Sequence, residues 1–228
     1  MKYIIKLIYK YVVITLFRKT IHVSHNVELW NIYKTNVDKN NLVEIKYGNV
    51  NHVSINIQGF ANKILFNGNV LANTSIRIVG EANQLIIADG VKIYNTEFVI
   101  RGNKCKIYIG DKSSIGGACC VCMGKNNFIK IGNECMLSEQ IDIWATDSHP
   151  IFNNEGDVVN RSAPIDIGKH VWIGKRSVIL KGVSVGDDCI IGMNSTVTKS
   201  IPQKTVCAGN PAKIIKKDLN WNRAFIKI

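Results

Sequence analysis

Aliphatic residues recur at every sixth position from Ile167 through Ile173, Ile179, Val185 and Ile191 to Val197, with glycine following at 168, 174, 186 and 192. An exact hexapeptide period predicts one short strand and a bend stacked on itself, three units making a triangular coil of a parallel β-helix. The repeated aliphatic side chain points into the prism, because an isolated coil cannot bury it and a stack can. The residue four positions later turns into a corner, where Val171, Ser177, Val183, Cys189 and Ser195 are suitably small.

Upstream the period lengthens to 22, shared by Gly80, Gly102 and Gly124 and by Leu65, Ile87, Ile109 and Ile131. The excess of four over 18 is expected as a small turn inserted at one corner of each coil. Within these coils the sixes persist as Ile87, Ile93, Val99; Ile109, Ile115, Val121; and Ile131, Leu137, Ile143. The next step lands on His149, after which the pattern is lost until Ile167. One corner therefore carries a long excursion, 149–164, that begins at a histidine. The expected organisation is a basic and apolar N-terminal segment, 1–42, packed on the trunk, an all-β helix of about six coils over 43–202, and a C-terminal extension, 203–228.

Composition narrows the classes. Of the 228 residues, 46% are hydrophobic, which excludes disorder as the default. No apolar run is long enough to span a bilayer. Residues Met1 to Thr20, with Tyr11 to Phe17 apolar between Lys2, Lys6, Lys10, Arg18 and Lys19, read as a helix or strand on the trunk, with a membrane-surface element as the alternative. They lack the small-residue cleavage site of a signal peptide. The seven cysteines, an odd number, argue for a reducing compartment, hence the cytoplasm or its side of the inner membrane. Cys119, Cys135 and Cys189 fall at interior corner positions, where cysteine acts as a small hydrophobe. Cys119, Cys120 and Cys122 have neither a second CxxC pair nor a nearby histidine, so no metal is expected, and no feature pairs a cysteine with a histidine base. The net charge of +12 favours phosphate- or carboxylate-bearing partners. Dispersed lysines and the lack of any nucleic-acid-binding motif argue against nucleic acid.

A general base at neutral pH needs a group that titrates there, and histidine does. His149 opens the excursion, whereas His170 follows a Gly-Lys pair at a turn and reads as solvent-facing. Asp147 precedes His149 at a corner position, where a carboxylate needs a partner; it could orient His149 or contact a substrate. Trp144 and Ser148 stand beside it as candidate substrate contacts.

The stretch from His149 to Ile215 closely resembles the hexapeptide-repeat acyltransferases, in particular the branch of galactoside, maltose and polysaccharide O-acetyltransferases. The resemblance rests on His149-Pro150, Pro164-Ile165, Val171-Trp172-Ile173-Gly174, Gly182-Val183, Val197-Thr198-Lys199, Ile201-Pro202 and Gly209-Asn210-Pro211. It implies a left-handed β-helix assembled as a homotrimer, with acetyl-CoA between neighbouring subunits and no metal. It further implies His149 as the general base, Trp172 as the wall of the thioester end, and Lys175, Gly192 and Met193 along the pantetheine arm. Thr198 and Lys199 would lie near the adenosine and phosphates, and Lys213 and Lys216 would meet phosphate. Two departures stand out. Lys175 replaces a small residue, and Ala118 and Cys119 stand where the sugar enzymes place an acceptor-binding asparagine. The implied activity is O-acetylation of a sugar hydroxyl in a bacterial surface polysaccharide or its precursor. N-acetylation of an amino sugar and a non-catalytic scaffold are the alternatives.

Overall fold

The computed structural model describes residues 21–23, 27–38 and 40–226, so the expected element over Met1 to Thr20 lies outside the described residues. The chain is a parallel β-helix of three faces. The first face is an eight-stranded sheet, running from Ile21–Val23 through Leu42–Ile45, Lys63–Phe66, Gln84–Ile87, Lys106–Ile109, Phe128–Ile131 and Ile165–Ile167 to Ser184–Val185. The second face holds Lys92–Tyr94, Ser114–Ile115, Met136–Leu137, Trp172–Ile173, Ile190–Ile191 and Thr205–Ala208; the third holds Glu97–Asn103, Ala118–Lys125, Ile141–Trp144, Val178–Leu180 and Thr196–Val197. In the early coils the long strands Val27–Val37, Gly48–Phe60 and Val70–Glu81 bend around one corner and serve both.

The stack therefore starts upstream of residue 43, and eight strands on the first face exceed the six coils expected. An irregularity between Tyr33 and Thr35 shifts the register there, which hides the repeat from counting. Downstream the count holds residue by residue: Ile167, Ile173, Ile179, Val185, Ile191 and Val197 are buried, as are the corner residues Val171, Ser177, Val183, Cys189 and Ser195.

Three upstream assignments need correction. Phe66, not Leu65, points inward, because its register partners Ile45 and Ile87 are each 21 residues away and not 22. Val99 is half-exposed while Phe98 and Ile100 fill the core, because the longer third-face strand runs one residue out of phase. For the same reason Cys119 faces outward, whereas Cys135 and Cys189 are buried.

The extra residues of the long coils extend the third-face strand to the corner where the chain returns to the first face. At that corner Gly102 has φ +131, and a Cβ there would stand 1.9 Å from the Gly124 carbonyl oxygen of the next coil; only glycine allows the approach. Inside it, Asn41, Asn62 and Asn83 form a ladder. Asn62 Nδ2 donates to Asn41 Oδ1 at 3.0 Å and to Gly80 O at 2.8 Å, and Asn83 Nδ2 to Asn62 Oδ1 at 3.0 Å and to Gly102 O at 2.7 Å. Asn127 repeats the device by donating to Ala145 O at 2.9 Å, the carbonyl at which the excursion departs. These bonds satisfy corner carbonyls that would otherwise be buried without a partner.

Candidate active site

Three edges separate the faces, and they sort the candidate residues. The third edge, between the third and first faces, carries residues 146–164, with Thr198 and Lys199 two coils on. Ala145 turns inward where the six-residue count had placed Asp147, and Asp147 lies on the surface. Its carboxylate accepts from Lys181 Nζ and, at 2.8 Å, from Asn160 Nδ2. The Lys181 hydrogen bond is the main reason that Asp147 titrates below the usual carboxylate range, with Asn160 adding to it. Asn160 also donates to His149 O at 2.9 Å and accepts from Ile151 N at 2.6 Å, while Lys181 Nζ donates to Asn160 O at 2.9 Å. Ser148 takes a left-handed turn, φ 64, with its amide on Thr146 Oγ1 at 3.0 Å. The result is a clamp on the backbone either side of His149, whose imidazole is exposed. Asn160 and Lys181 were not read from the sequence, because neither interrupts the repeat in a way that counting detects. Trp144 is half-buried on the third face, in register between Val121 and Leu180.

The second edge, between the second and third faces, carries Lys175, Gly192 and Met193. Lys175 Nζ lies 2.8 Å from Glu139 Oε2 and holds that carboxyl below its usual range. Met193 is 62% exposed. Gly192 O accepts from Ser177 Oγ at 2.9 Å and Ser195 Oγ at 2.6 Å, so its carbonyl is already satisfied. Lys213 and Lys216 are exposed on Lys213–Lys217, which runs antiparallel to Thr205–Ala208 at the end of the second face.

On the second face Trp172 is 38% exposed, its ring centroid 5.9 Å from that of Trp221. The C-terminal extension doubles back along the first edge. Trp221 stacks on His170 at 4.2 Å and donates through Nε1 to His170 O at 2.9 Å. Arg223 donates to Cys135 O at 2.6 Å and to Ser114 Oγ at 2.7 Å. His170 is thus half-buried between Trp221 and Asp188, whose Oδ1 is 2.9 Å from Nδ1, and is not the solvent-facing turn residue expected.

Beside the second edge, below Lys175, runs a groove of about 410 Å³ lined by Asn95, Gly116, Gly117, Ala118, Cys119 and 139–142. It continues past Asn95, Ala118 and Cys119 into a second hollow of about 520 Å³ lined by His52, Ser54, Asn73 and 74–75 with Thr96 and Glu97. Burial, and then the charges of Glu97 and Asp142, push the Cys119 thiol up to about 11, which makes it a poor nucleophile. Among the described residues no three His, Cys, Asp or Glu side chains gather as a metal site, and no helix is long and apolar enough to cross a membrane.

The structure thus brings His149 together with Asp147 and Ser148, and separately aligns Lys175, Gly192 and Met193. Within one chain the width of the third face lies between these two groups.

Residues 164–199 match the family model for the hexapeptide repeat of succinyl-transferase. A polysialic acid O-acetyltransferase from Neisseria meningitidis is 30% identical over 189 residues, covering 73% of this chain and 88% of that protein. The chain belongs to the hexapeptide-repeat O-acetyltransferases. A polysialic acid O-acetyltransferase from Escherichia coli O1:K1 / APEC is 35% identical over 119 residues, 52% of this chain; the matched part spans 38% of that longer relative. The crystal structure of the polySia specific acetyltransferase NeuO superposes with a TM-score of 0.70 at 28% identity, over 90% of this chain and 83% of that one. The fold is accordingly the left-handed parallel β-helix of this family, an exception to the right-handed crossover preference.

Proposed function

We propose that the protein transfers the acetyl group of acetyl-CoA to a sugar hydroxyl of a bacterial surface polysaccharide or its precursor, in the cytoplasm or at its face of the inner membrane, with His149 as general base. The observation that carries this reading is the exposed imidazole of His149, held at the mouth of the excursion by a backbone clamp from Asn160. The imidazole takes the hydroxyl proton as the acceptor oxygen attacks the thioester carbonyl, and returns it to the CoA sulfur as the carbon–sulfur bond breaks. Asp147, tied to Lys181 and Asn160, serves as an anchor of the loop. The donor lies along Lys175, Gly192 and Met193, with Trp172 walling its thioester end and Thr198, Lys199, Lys213 and Lys216 meeting the nucleotide and phosphates, where positive charge offsets a polyanion.

His149 and the Lys175–Met193 edge stand on opposite sides of the third face, so a second copy of the chain supplies one half of each site, as a homotrimer would. Replacing His149 by Ala should lower turnover by roughly 10² to 10⁴ while CoA binding and the melting temperature hold. Near wild-type turnover would remove His149 from its role. Sedimentation of a fully active monomer would remove the shared site.

A further inference from the structure

Resting on the reading that the donor follows the Lys175–Met193 edge, we propose that the groove below it, between Glu97 and Asp142, receives the acceptor and selects an uncharged, hydroxyl-rich sugar over a carboxylate-bearing one. The groove is the axial continuation of the donor edge. The Lys175–Glu139 ion pair and the 3.1 Å bond from Arg176 Nε to Gln140 Oε1 join the turn of the donor coil to its rim. Its floor, Gly116 to Cys119, is built of small side chains, and that leaves room for a ring.

Glu97, Cys119 and Asp142 are register partners on three successive third-face strands, so the two carboxylates flank the thiol and stand about 9–10 Å apart at the usual strand spacing. Neither carboxylate forms an ion pair or hydrogen bond among the described residues, whereas Glu139 is neutralised by Lys175. The Cys119 thiol is pushed up first by burial and then by both charges, which act on it from either side. Asn95 adds an amide whose Nδ2 lies 3.2 Å from Gly116 O, with Ser75 and Thr96 beyond. Carboxylates and amides at this spacing accept and donate hydrogen bonds to sugar hydroxyls, the strong ones being charge-assisted. A sugar carboxylate in the same place would face like charge on both sides. The net charge of +12 argues the opposite for the molecule as a whole, but no lysine or arginine lines this groove. The chain therefore departs from the polysialic acid enzymes it resembles, since every residue of polysialic acid bears a carboxylate.

Binding of the full-length protein to an array of uncharged and carboxylate-bearing glycans tests this without turnover. The expected hits are uncharged glycans, weakened at least tenfold in the double variant Glu97→Gln, Asp142→Asn and in Cys119→Phe, which fills the floor, while CoA binding stays as in wild type. Hits confined to carboxylate-bearing glycans, hits that persist in both variants, or no hits at all would overturn the proposal. A protein that binds uncharged glycans in this groove and transfers no acetyl group fails as an acetyltransferase without failing here.

Discussion

The coils before the excursion and those after it bury the same kind of side chain and differ at one corner. Ile87 and Ile93 upstream correspond to Ile167 and Ile173 downstream, all of them inside the prism. The third face separates the two regions. Its strands span Glu97–Asn103 and Ala118–Lys125 in the early coils, against Val178–Leu180 and Thr196–Val197 later. The wide coils hold their corner with stacked glycines and an asparagine ladder, the narrow ones with small residues such as Val183. The excursion at 146–164 leaves from that same corner, at the last wide coil, as a longer form of the insertion already made at Gly59, Gly80, Gly102 and Gly124. Core positions fix how the coils stack, and corner positions fix where surface is added. The groove lies on the wide side and the donor edge on the narrow side of that change.

The sharpest break of this comparison is a pair of glycine replacements at the same corner. Gly102→Ala should cost about 3 kcal/mol or more and lower the melting midpoint by several degrees, because its Cβ would press on the Gly124 carbonyl, a backbone atom, from φ +131. Gly182→Ala, in a narrow coil, would meet only Ala163 Cβ at an ordinary 3.6 Å and bear the φ penalty of about 1 kcal/mol. Equal midpoints for the two variants would show that the wide corner is no more tightly built than the narrow one.

The narrow coils should also be the ones that feel the donor. Lys216→Ala removes a cation from the exposed Lys213–Lys217 strand and should raise the Michaelis constant for acetyl-CoA roughly three- to tenfold, leaving that for the acceptor nearly unchanged. Acetyl-CoA kinetics equal to wild type would take Lys216 out of the donor site.

What sequence reading captured and what it missed divide along the same line. From Ile167 to Val197 every inward residue was found, since a strict period with one strand per six residues maps count onto direction. Upstream some coils have 21 residues and others 22, so counting by 22 put Leu65 where Phe66 belongs, and counting by six along the longer third-face strand turned Cys119 inward. Asn41, Asn62 and Asn83 repeat at 21 and could have signalled the ladder, but a buried asparagine carries no hydrophobic signature. His149 was readable because the repeat failed there. Its supports were not: Asn160 lies inside the loop and Lys181 on the next coil, and their meeting at Asp147 is a property of the folded edge. Trp221 belongs to no repeat, and its stack on His170 is visible only in three dimensions.

The smallest effect expected belongs to the clamp itself, where the corner insertion has grown longest. Asp147 is held below its ordinary range chiefly by the hydrogen bond from Lys181, with Asn160 adding to it and partial burial opposing. A depressed carboxyl contributes stability above its unfolded value, near 3.9, and loses it as pH falls through the folded value, so the clamp is intact at neutral pH and loosens only below about pH 4. Because the pair is partly exposed, global stability should shift by no more than about 0.5 kcal/mol. The local consequence is larger. Lys181→Met should lower the hydrogen-exchange protection factors of the loop tip around Asn153 to Gly156 at pH 7, to the values that wild type shows only in acid, and should reduce turnover severalfold by releasing the backbone at His149. The wide corners, which rest on neutral asparagine bonds, should show no such pH dependence at Asn62 and Asn83. Loop exchange in Lys181→Met that matches wild type at pH 7 would mean that Asn160 alone holds the excursion.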